Sequence, residues 1–344
     1  ERIEFFTRVL YDYIQFPVKK SMKEKMGRAM RRIWAGLWVA CAIAVSLSGC
    51  RPAAVDRAVL HEPNSAYAIA YPEKMLTLQV PLKSPQCFIY SVGEQKMIFS
   101  RGEKHVVYPG STTKLLTALC ALSWLSPAEE IRPGNELALV KKGSSVAYIK
   151  DYHCLTVEML IEGMLLPSGN DAAYVLAAAA GRKIAKDPLL DGNRAVDVFM
   201  KQMKSYGTSI GLCGTNFTVP DGYAGNEHYS TTEDMLLIAR KALETPLIAK
   251  YAAMASDHVV YASGHVNQWR NTNQLLQTDS LYYNSYVTGL KTGSCDGGYS
   301  LLFSFSFPDG RKYVAGVFGA KQSEHRYEDA VSLIGCVKGS TEFS

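Results

Sequence analysis

Three short polar motifs constrain this chain more than any other feature: Ser111-Thr-Thr-Lys114, Ser168-Gly-Asn170 and Lys291-Thr-Gly293. Ser-x-x-Lys alone arises by composition roughly once in a chain of this length, so the information lies in the ordered set. A serine hydroxyl is a weak nucleophile until a base within hydrogen-bond reach takes its proton. Ser111 and Lys114, three residues apart, share one helix face. Pro109-Gly110 reads as a turn, and the run from Lys114 to Leu122 as a largely buried helix. Ser111 then stands at a helix N-terminus, where unpaired N–H groups favour developing negative charge. Taken alone, Ser111 reads equally well as the cap of a core helix. The other two motifs weigh against that.

Ser168 and Asn170 fall between Met164-Leu-Leu-Pro, the end of an apolar helix, and Asp171-Ala-Ala-Tyr-Val-Leu, the start of another. By themselves they would be interhelical turn chemistry; between two packed helices they place a second hydroxyl and a carboxamide at fixed positions. Lys291-Thr-Gly293 ends the period-2 run Ser285-Tyr-Val-Thr-Gly-Leu, of strand type. A cation followed by a hydroxyl suits recognition of a carboxylate, and the glycine allows close approach to the backbone. A lone lysine at an edge strand would ordinarily be a solvated guard against aggregation.

At these residues the chain resembles the D-alanyl-D-alanine carboxypeptidases, the low-molecular-mass penicillin-binding proteins, whose motif set is nearly shared with class A β-lactamases. Tyr108-Pro-Gly-Ser-Thr-Thr-Lys114, Leu166-Pro-Ser-Gly-Asn-Asp-Ala172, His228-Tyr-Ser-Thr-Thr-Glu-Asp-Met235, Asn271-Thr-Asn273 and Gly289-Leu-Lys-Thr-Gly293 carry the resemblance, in family order, across roughly Gln86 to Val337. The resemblance implies Ser111 as nucleophile, Lys114 as its base and Ser168 as proton relay to the leaving amine. It implies Asn170 as orienting the substrate amide, and Lys291 and Thr292 at the terminal carboxylate, with Gly293 among the substrate-binding residues. The oxyanion hole would be the N–H groups of Ser111 and Ser294, and Arg326 would assist carboxylate binding. Burial and the positive charge of Lys291 are both expected to lower the Lys114 pKa. Two segments depart from the family pattern. Cys295 stands where many relatives have Thr, which weakens a hydrogen bond near the oxyanion hole. Pro220-Asp-Gly-Tyr223 stands where many have His-Gly-Leu.

The implied activity is removal of terminal D-alanine from peptidoglycan stem peptides through an acyl-enzyme, with β-lactams as inhibitors and no cofactor or metal. Endopeptidase action on crosslinks is the nearest variant. A class A-like β-lactamase and a penicillin-binding sensor without turnover are the alternatives. The first needs a deacylating glutamate about 35 residues beyond Ser-x-Asn, and residues 163–226 contain none; the intact motifs argue against the second.

The fold class expected is α/β (α+β): an antiparallel sheet layered with helices plus a helical subdomain, a penicillin-binding-protein/β-lactamase-like transpeptidase fold. Cys87-Phe-Ile-Tyr-Ser-Val and Lys96-Met-Ile-Phe-Ser read as a hairpin. Helical patterns run from Ser111 to about Leu243. Strands are expected at 285–293, 299–307 and 312–319, with a helix from about 324 to 337.

Residues 1–49 hold nine Lys/Arg against four Asp/Glu, which accounts for the whole formal charge of +5 and leaves 28 of each beyond. A near-neutral remainder is no nucleic-acid signature. The basic stretch Met22 to Arg32 and the 15-residue apolar run Ile33 to Leu47 read as a signal peptide, too short for a spanning helix of about 20 residues. It ends in Leu47-Ser-Gly-Cys50, similar to a bacterial lipobox with Cys50 as the acylated residue; an uncleaved N-terminal anchor is the other reading. Either puts the enzyme outside the cytoplasm on a membrane. The lipid would replace the C-terminal amphipathic helix of many relatives. The expected organisation is upstream sequence over 1–21, signal over 22–49, tether over 50–85, catalytic domain over 86–338 and tail over 339–344. Cys87, Cys120, Cys154, Cys213, Cys295 and Cys336 allow 15 pairings into three bridges but show no metal-site spacing; mostly free, buried thiols are expected.

Overall fold

Alternation along the first strand sets the architecture. In the computed structural model, which describes residues 69–78, 80–102 and 105–340, β1 (Gln86–Ser91) sends Phe88 and Tyr90 to one face and Cys87 and Ile89 to the other, all buried. A strand apolar on both sides needs a layer on each. β1 pairs with β2 (Lys96–Arg101) and with β9 (Lys312–Ala320). The sheet continues through β8 (Gly298–Ser306) to β7 (Val287–Cys295) in the order β2-β1-β9-β8-β7, each pairing antiparallel.

The Cys87 face, with Ile89, Ile98, Leu301, Phe303, Phe305 and Val317, packs on Tyr327, Ala330, Leu333, Ile334 and Val337 of the last helix, α7 (His325–Gly339). The Phe88 face, with Leu290, Leu302 and Val314, packs on the helical subdomain. That subdomain comprises α1 (Lys114–Leu122), α2 (Val157–Leu165), α3 (Asn170–Ala185), α4 (Gly192–Ser209), α5 (Thr232–Glu244) and α6 (Pro246–Ala253).

Local chemistry starts these helices where they start. Thr156 caps α2 by accepting from Met159 N–H at 3.2 Å, Asp191 caps α4 by accepting from Asn193 N–H at 3.0 Å, and Thr231 caps α5 by accepting from Asp234 N–H at 3.2 Å. Pro246 opens α6, where its missing N–H costs nothing. α3 is buried from Asn170 through Gly181, because sheet-side and outer helices surround it.

Three findings differ from the sequence-based expectation. Lys291-Thr-Gly293 does not end its strand: β7 runs on to Cys295, since Ser294 and Cys295 still pair with Tyr299 and Gly298. Two small sheets stand where no strand was expected: β3 (Glu130–Ile131) with β4 (Leu155–Thr156) inside the helical stretch, and β5 (Ser256–Val260) with β6 (Val266–Arg270) beyond its end. The tether expected over 50–85 joins the fold at its far end. Met97 N–H donates to Ala70 O at 2.8 Å and Leu76 N–H to Ile98 O at 2.7 Å, while Leu76 and Leu82 are buried, so this segment covers the open edge of β2. The calls on residues 1–68 and 341–344, among them the signal and Cys50, lie outside the described residues. The six cysteines from Cys87 to Cys336 are free, with Cys87, Cys120 and Cys154 buried.

Candidate active site

The turn that carries Ser111 is held by its neighbours rather than by its own sequence. Gly110 to Thr113 form one 3-10 turn leading into α1, with the Thr112 hydroxyl donating to Pro109 O at 2.9 Å. β7, the outer strand of the sheet, lies against this turn: a Cβ on Gly293 would meet Pro109 O at 2.1 Å. The glycine of Lys-Thr-Gly is therefore required by the chain's own packing, a reason the motif did not reveal. On the other side Gly222, at φ +78°, sits where a Cβ would meet Gly110 O at 2.0 Å.

Lys114 is fully buried, and its amine has three neighbours: Ser111 Oγ at 2.7 Å, Asn170 Oδ1 at 2.7 Å and Asp221 O at 2.9 Å. Two of these oxygens, a carboxamide and a main-chain carbonyl, only accept. A neutral amine has two N–H bonds and one lone pair. Giving both N–H bonds to Asn170 and Asp221 leaves the lone pair on Ser111. The charged amine instead donates to all three. Burial pushes the Lys114 pKa down to about 8, against the opposing charges of Asp221 and Asp171, so the neutral form is accessible near neutral pH. The expected contribution of Lys291 falls elsewhere: the repulsion is carried by Lys291, fully buried and held well below the lysine range by burial first and then by Lys114 and Arg326.

Ser111, Ser168, Asn170, Thr292, Gly293, Ser294 and Arg326 line one cleft of about 250 Å³, together with Ser144, Ser145 and Tyr223. Ser168 is buried and takes the left-handed conformation, φ +63°. Asn170 opens α3, with its N–H on Ser145 O at 2.8 Å. Beside it, the buried Asp171 carboxylate accepts from Ala147 N–H at 2.8 Å and Ile149 N–H at 2.9 Å, which fastens the stretch adjoining the cleft wall of Gly143, Ser144 and Ser145. Trp269 Nε1 donates to Ala147 O at 3.2 Å and Asn267 Nδ2 to the same oxygen at 3.0 Å, so the β5–β6 hairpin braces that wall from outside.

At the other end, the Thr292 hydroxyl lies 2.6 Å from that of Thr272. Arg326 donates to Gly293 O at 2.9 Å and Ser323 Oγ at 3.0 Å, and its guanidinium lies 5.3 Å and 4.8 Å from the ring centres of Tyr299 and Tyr327. Its Nε is buried with no partner among the described residues. An anion beside Lys291 and Arg326 would favour the charged form that burial disfavours in both. Gly110 would carry a Cβ 2.7 Å from Ser294 N, so the main chain of Ser294 adjoins the nucleophile turn. Cys295 Sγ turns to Tyr108 O at 3.5 Å.

Reasoning from sequence missed His228, although its segment was singled out. The buried ring accepts from Thr218 N–H at Nδ1, 3.0 Å, which leaves the proton on Nε2 for the Thr113 hydroxyl at 2.8 Å. Burial, then the charge of Lys114, pulls its pKa down to about 4, and the ring stacks on Phe217 at 4.7 Å. Asp221, Asp171 and Thr272 were missed likewise, each next to a motif residue in space and named only as part of a segment or not at all.

The sequence profile described as D-alanyl-D-alanine carboxypeptidase matches residues 82–322, well over half of the chain. The chain is 29% identical over 238 residues to a D-alanyl-D-alanine carboxypeptidase of Streptomyces sp. (strain K15), covering 65% of this chain and 77% of that protein. It is 24% identical over 244 residues to D-alanyl-D-alanine carboxypeptidase DacF of Bacillus subtilis (strain 168), covering 70% of this chain and 58% of that one. With DacC of Escherichia coli (strain K12) the identity is 29% over 240 residues, 66% of this chain and 54% of the relative. The chain thus spans little more than half the length of the last two. The crystal structure of the Streptomyces K15 DD-transpeptidase superimposes with a TM-score of 0.68 at 24% identity, over 77% of this chain and all of that one. Penicillin-binding protein D2 from Listeria monocytogenes in the ampicillin-bound form gives 0.60 at 23%, over 75% and 98%. At these identities the two structures speak for the fold, which is that of the penicillin-binding DD-peptidases. Profile, relatives and fold agree: the chain belongs to the D-alanyl-D-alanine carboxypeptidase family.

Proposed function

We propose that the protein is a serine-type D-alanyl-D-alanine carboxypeptidase that removes the terminal D-alanine of peptidoglycan stem pentapeptides. The observation that carries this reading is the Lys114 amine: two acceptor-only neighbours and a serine hydroxyl at 2.7 Å leave its lone pair one place to go.

In the reaction, neutral Lys114 takes the Ser111 proton as Oγ attacks the carbonyl carbon of the penultimate D-alanine. The oxyanion that forms is met by the main-chain N–H groups of Ser111 and Ser294. Asn170, with Oδ1 engaged by Lys114, offers its NH2 to the substrate's amide carbonyl. The terminal carboxylate lies before Lys291, Thr292 and Arg326; each charge-assisted hydrogen bond there contributes about 1.5 to 3 kcal/mol. Ser168 passes a proton to the leaving nitrogen, the C–N bond breaks and D-alanine departs. Lys114, neutral again, takes a proton from water as that water attacks the ester on Ser111 and gives it to the serine oxygen as the C–O bond breaks, and the shortened peptide leaves. No step asks for a metal or cofactor.

The same reading makes penicillin a suicide substrate that acylates Ser111, and the absence of any glutamate over residues 163–226 leaves that ester without the deacylating base of a class A β-lactamase. Purified protein should carry fluorescent penicillin stably, and Ser111→Ala should carry none. Rapid catalytic hydrolysis of penicillin would transfer the assignment to β-lactamase. The protein is placed outside the cytoplasm, held to the membrane by lipid on Cys50. This is supported by the basic stretch, the short apolar run and Leu47-Ser-Gly-Cys50; among the described residues no helix is long and apolar enough to cross a membrane.

A further inference from the structure

Asp221 meets the catalytic lysine twice over, and only one of the two contacts is explained by the reaction. Its main-chain carbonyl accepts from Lys114 Nζ at 2.9 Å and lies 3.4 Å from Ser111 Oγ. Any residue at 221 would supply that carbonyl. The carboxylate is another matter: Asp221 is only 1% exposed, so its side chain is buried on the same residue whose carbonyl holds the amine.

The turn that holds it is clamped on every side. The Thr117 hydroxyl donates to Pro220 O at 2.7 Å. Gly222 fits beneath Gly110 O in a left-handed conformation that only glycine adopts freely. Tyr223 N–H donates to Asp221 Oδ1 at 3.0 Å. The side chain is thereby folded back inside the turn and kept from swinging out to water.

Resting on the carboxypeptidase reading, we propose that the Asp221 carboxylate is the anion that holds Lys114 protonated between turnovers, and so sets the pH above which Ser111 becomes a nucleophile. Asp221 is a positioning residue in this account, acting on the reaction only through Lys114. Enclosure matters, because an exposed carboxylate would be screened by water and salt. The remaining charged and titratable groups around Lys114 are few. Asp171, on α3, adds a second and weaker anionic influence but is engaged by the N–H groups of Ala147, Ile149 and Ala172. Lys291 from β7 and Arg326 from α7 are basic groups, each with its ionisation disfavoured by burial. His228, from the 216–230 loop, is neutral, bonded at both nitrogens. Tyr174 of α3 lies in the field of Asp221 as well: its phenol is raised by burial first and then by that charge. Asp221 is the anion that raises Lys114 most, opposing the burial that lowers it to about 8.

The sign of the effect is unusual for a residue in an active site. Removing the charge should make acylation faster at neutral pH, because less of Lys114 would be protonated. Asp221→Asn keeps the main-chain carbonyl and an oxygen for Tyr223 N–H, and removes only the charge. The rate of Ser111 acylation by fluorescent penicillin, measured against pH, rises in the wild type through an ionisation that belongs to Lys114. In Asp221→Asn this limb should move to lower pH by about half a unit or more, making acylation at pH 7 roughly threefold faster or more, with the same plateau at high pH. Asp221→Ser, which also removes the charge, serves if the amide variant does not fold. Glu227→Gln, which removes an exposed charge from the same loop, should leave the limb in place. A limb that stays or moves to higher pH in both folded Asp221 variants overturns the proposal while leaving the carboxypeptidase reading standing. A wild type that penicillin does not acylate at Ser111 overturns both.

Discussion

Lys114 shows what one side chain needs in order to be a base at neutral pH. An ordinary lysine is almost wholly protonated there; this one is stripped of water, and its two spare N–H bonds are claimed by Asn170 and Asp221. Three residues downstream of Ser111 was enough to read the pair from sequence, and the apolar run after it was enough to bury it. What fixes their geometry was not legible. His228 reaches Thr113 across 115 residues of chain, and a lone histidine in sequence carries no sign of which hydroxyl it will meet. The ring works only as a neutral group, since Nδ1 must accept from Thr218 N–H. Its folded pKa of about 4 lies below the ordinary 6.5, so its contribution to stability is whole above about 6.5 and drains away as the pH falls toward about 4. His228→Ala strips a partner from a buried hydroxyl and a buried N–H and loosens the nucleophile turn. Ser111 acylation should slow by roughly 10- to 100-fold. If the two residues act as one device, Thr113→Val and the double variant should be about as slow as His228→Ala alone, which acylation rates in a double-mutant cycle will read. Losses that add would separate them.

Elements divide by length and by pattern. The β1–β2 hairpin, β8, β9 and α7 were readable because their apolar periodicity is long enough to distinguish strand from helix. β7 was readable but cut short, because Ser294 and Cys295 lack apolar character while still pairing with β8. β3 and β4, at two residues each, fall below any periodic signal. The β5–β6 hairpin was hidden differently: Ser256-Asp-His begins it with residues that read as a turn, and its worth lies in Trp269 and Asn267 gripping Ala147 O, a contact made across 122 and 120 residues. The N-terminal element rests on sequence alone. A positive stretch, 15 apolar residues and Leu47-Ser-Gly-Cys50 are proposed to act together as a lipoprotein signal, and Cys50 is where that proposal is tested. In cells fed labelled fatty acid, Cys50→Ser should abolish incorporation into the protein; incorporation that persists would rule out lipidation at Cys50.

At the scale of the molecule, the site exists because a sheet and a helical subdomain approach each other at one strand edge. β7 brings Thr292 and the Ser294 main chain from the sheet, with Lys291 buried among them; the turn before α1 brings Ser111, the loop before α3 Ser168 and the start of α3 Asn170, with Lys114 buried at the head of α1; α7 supplies Arg326. The order of three motifs was legible, and with it the fold by resemblance, but their convergence depends on packing that no local pattern states: Gly293 against Pro109, Gly222 against Gly110, Thr292 against Thr272. Thr292 and Arg326 line one end of the cleft, with Lys291 buried beside Thr292, and the proposal is that this end takes the carboxylate of a terminal D-alanine. The most direct test is release of free D-alanine by the purified protein from a pentapeptide ending in D-Ala-D-Ala, beside the same peptide amidated at its C-terminus. Steady release is expected from the acid, release from the amide slower by roughly 10- to 150-fold for each charge-assisted bond lost, and none from either with Ser111→Ala. No release from the acid, or equal release from acid and amide, would contradict the proposal.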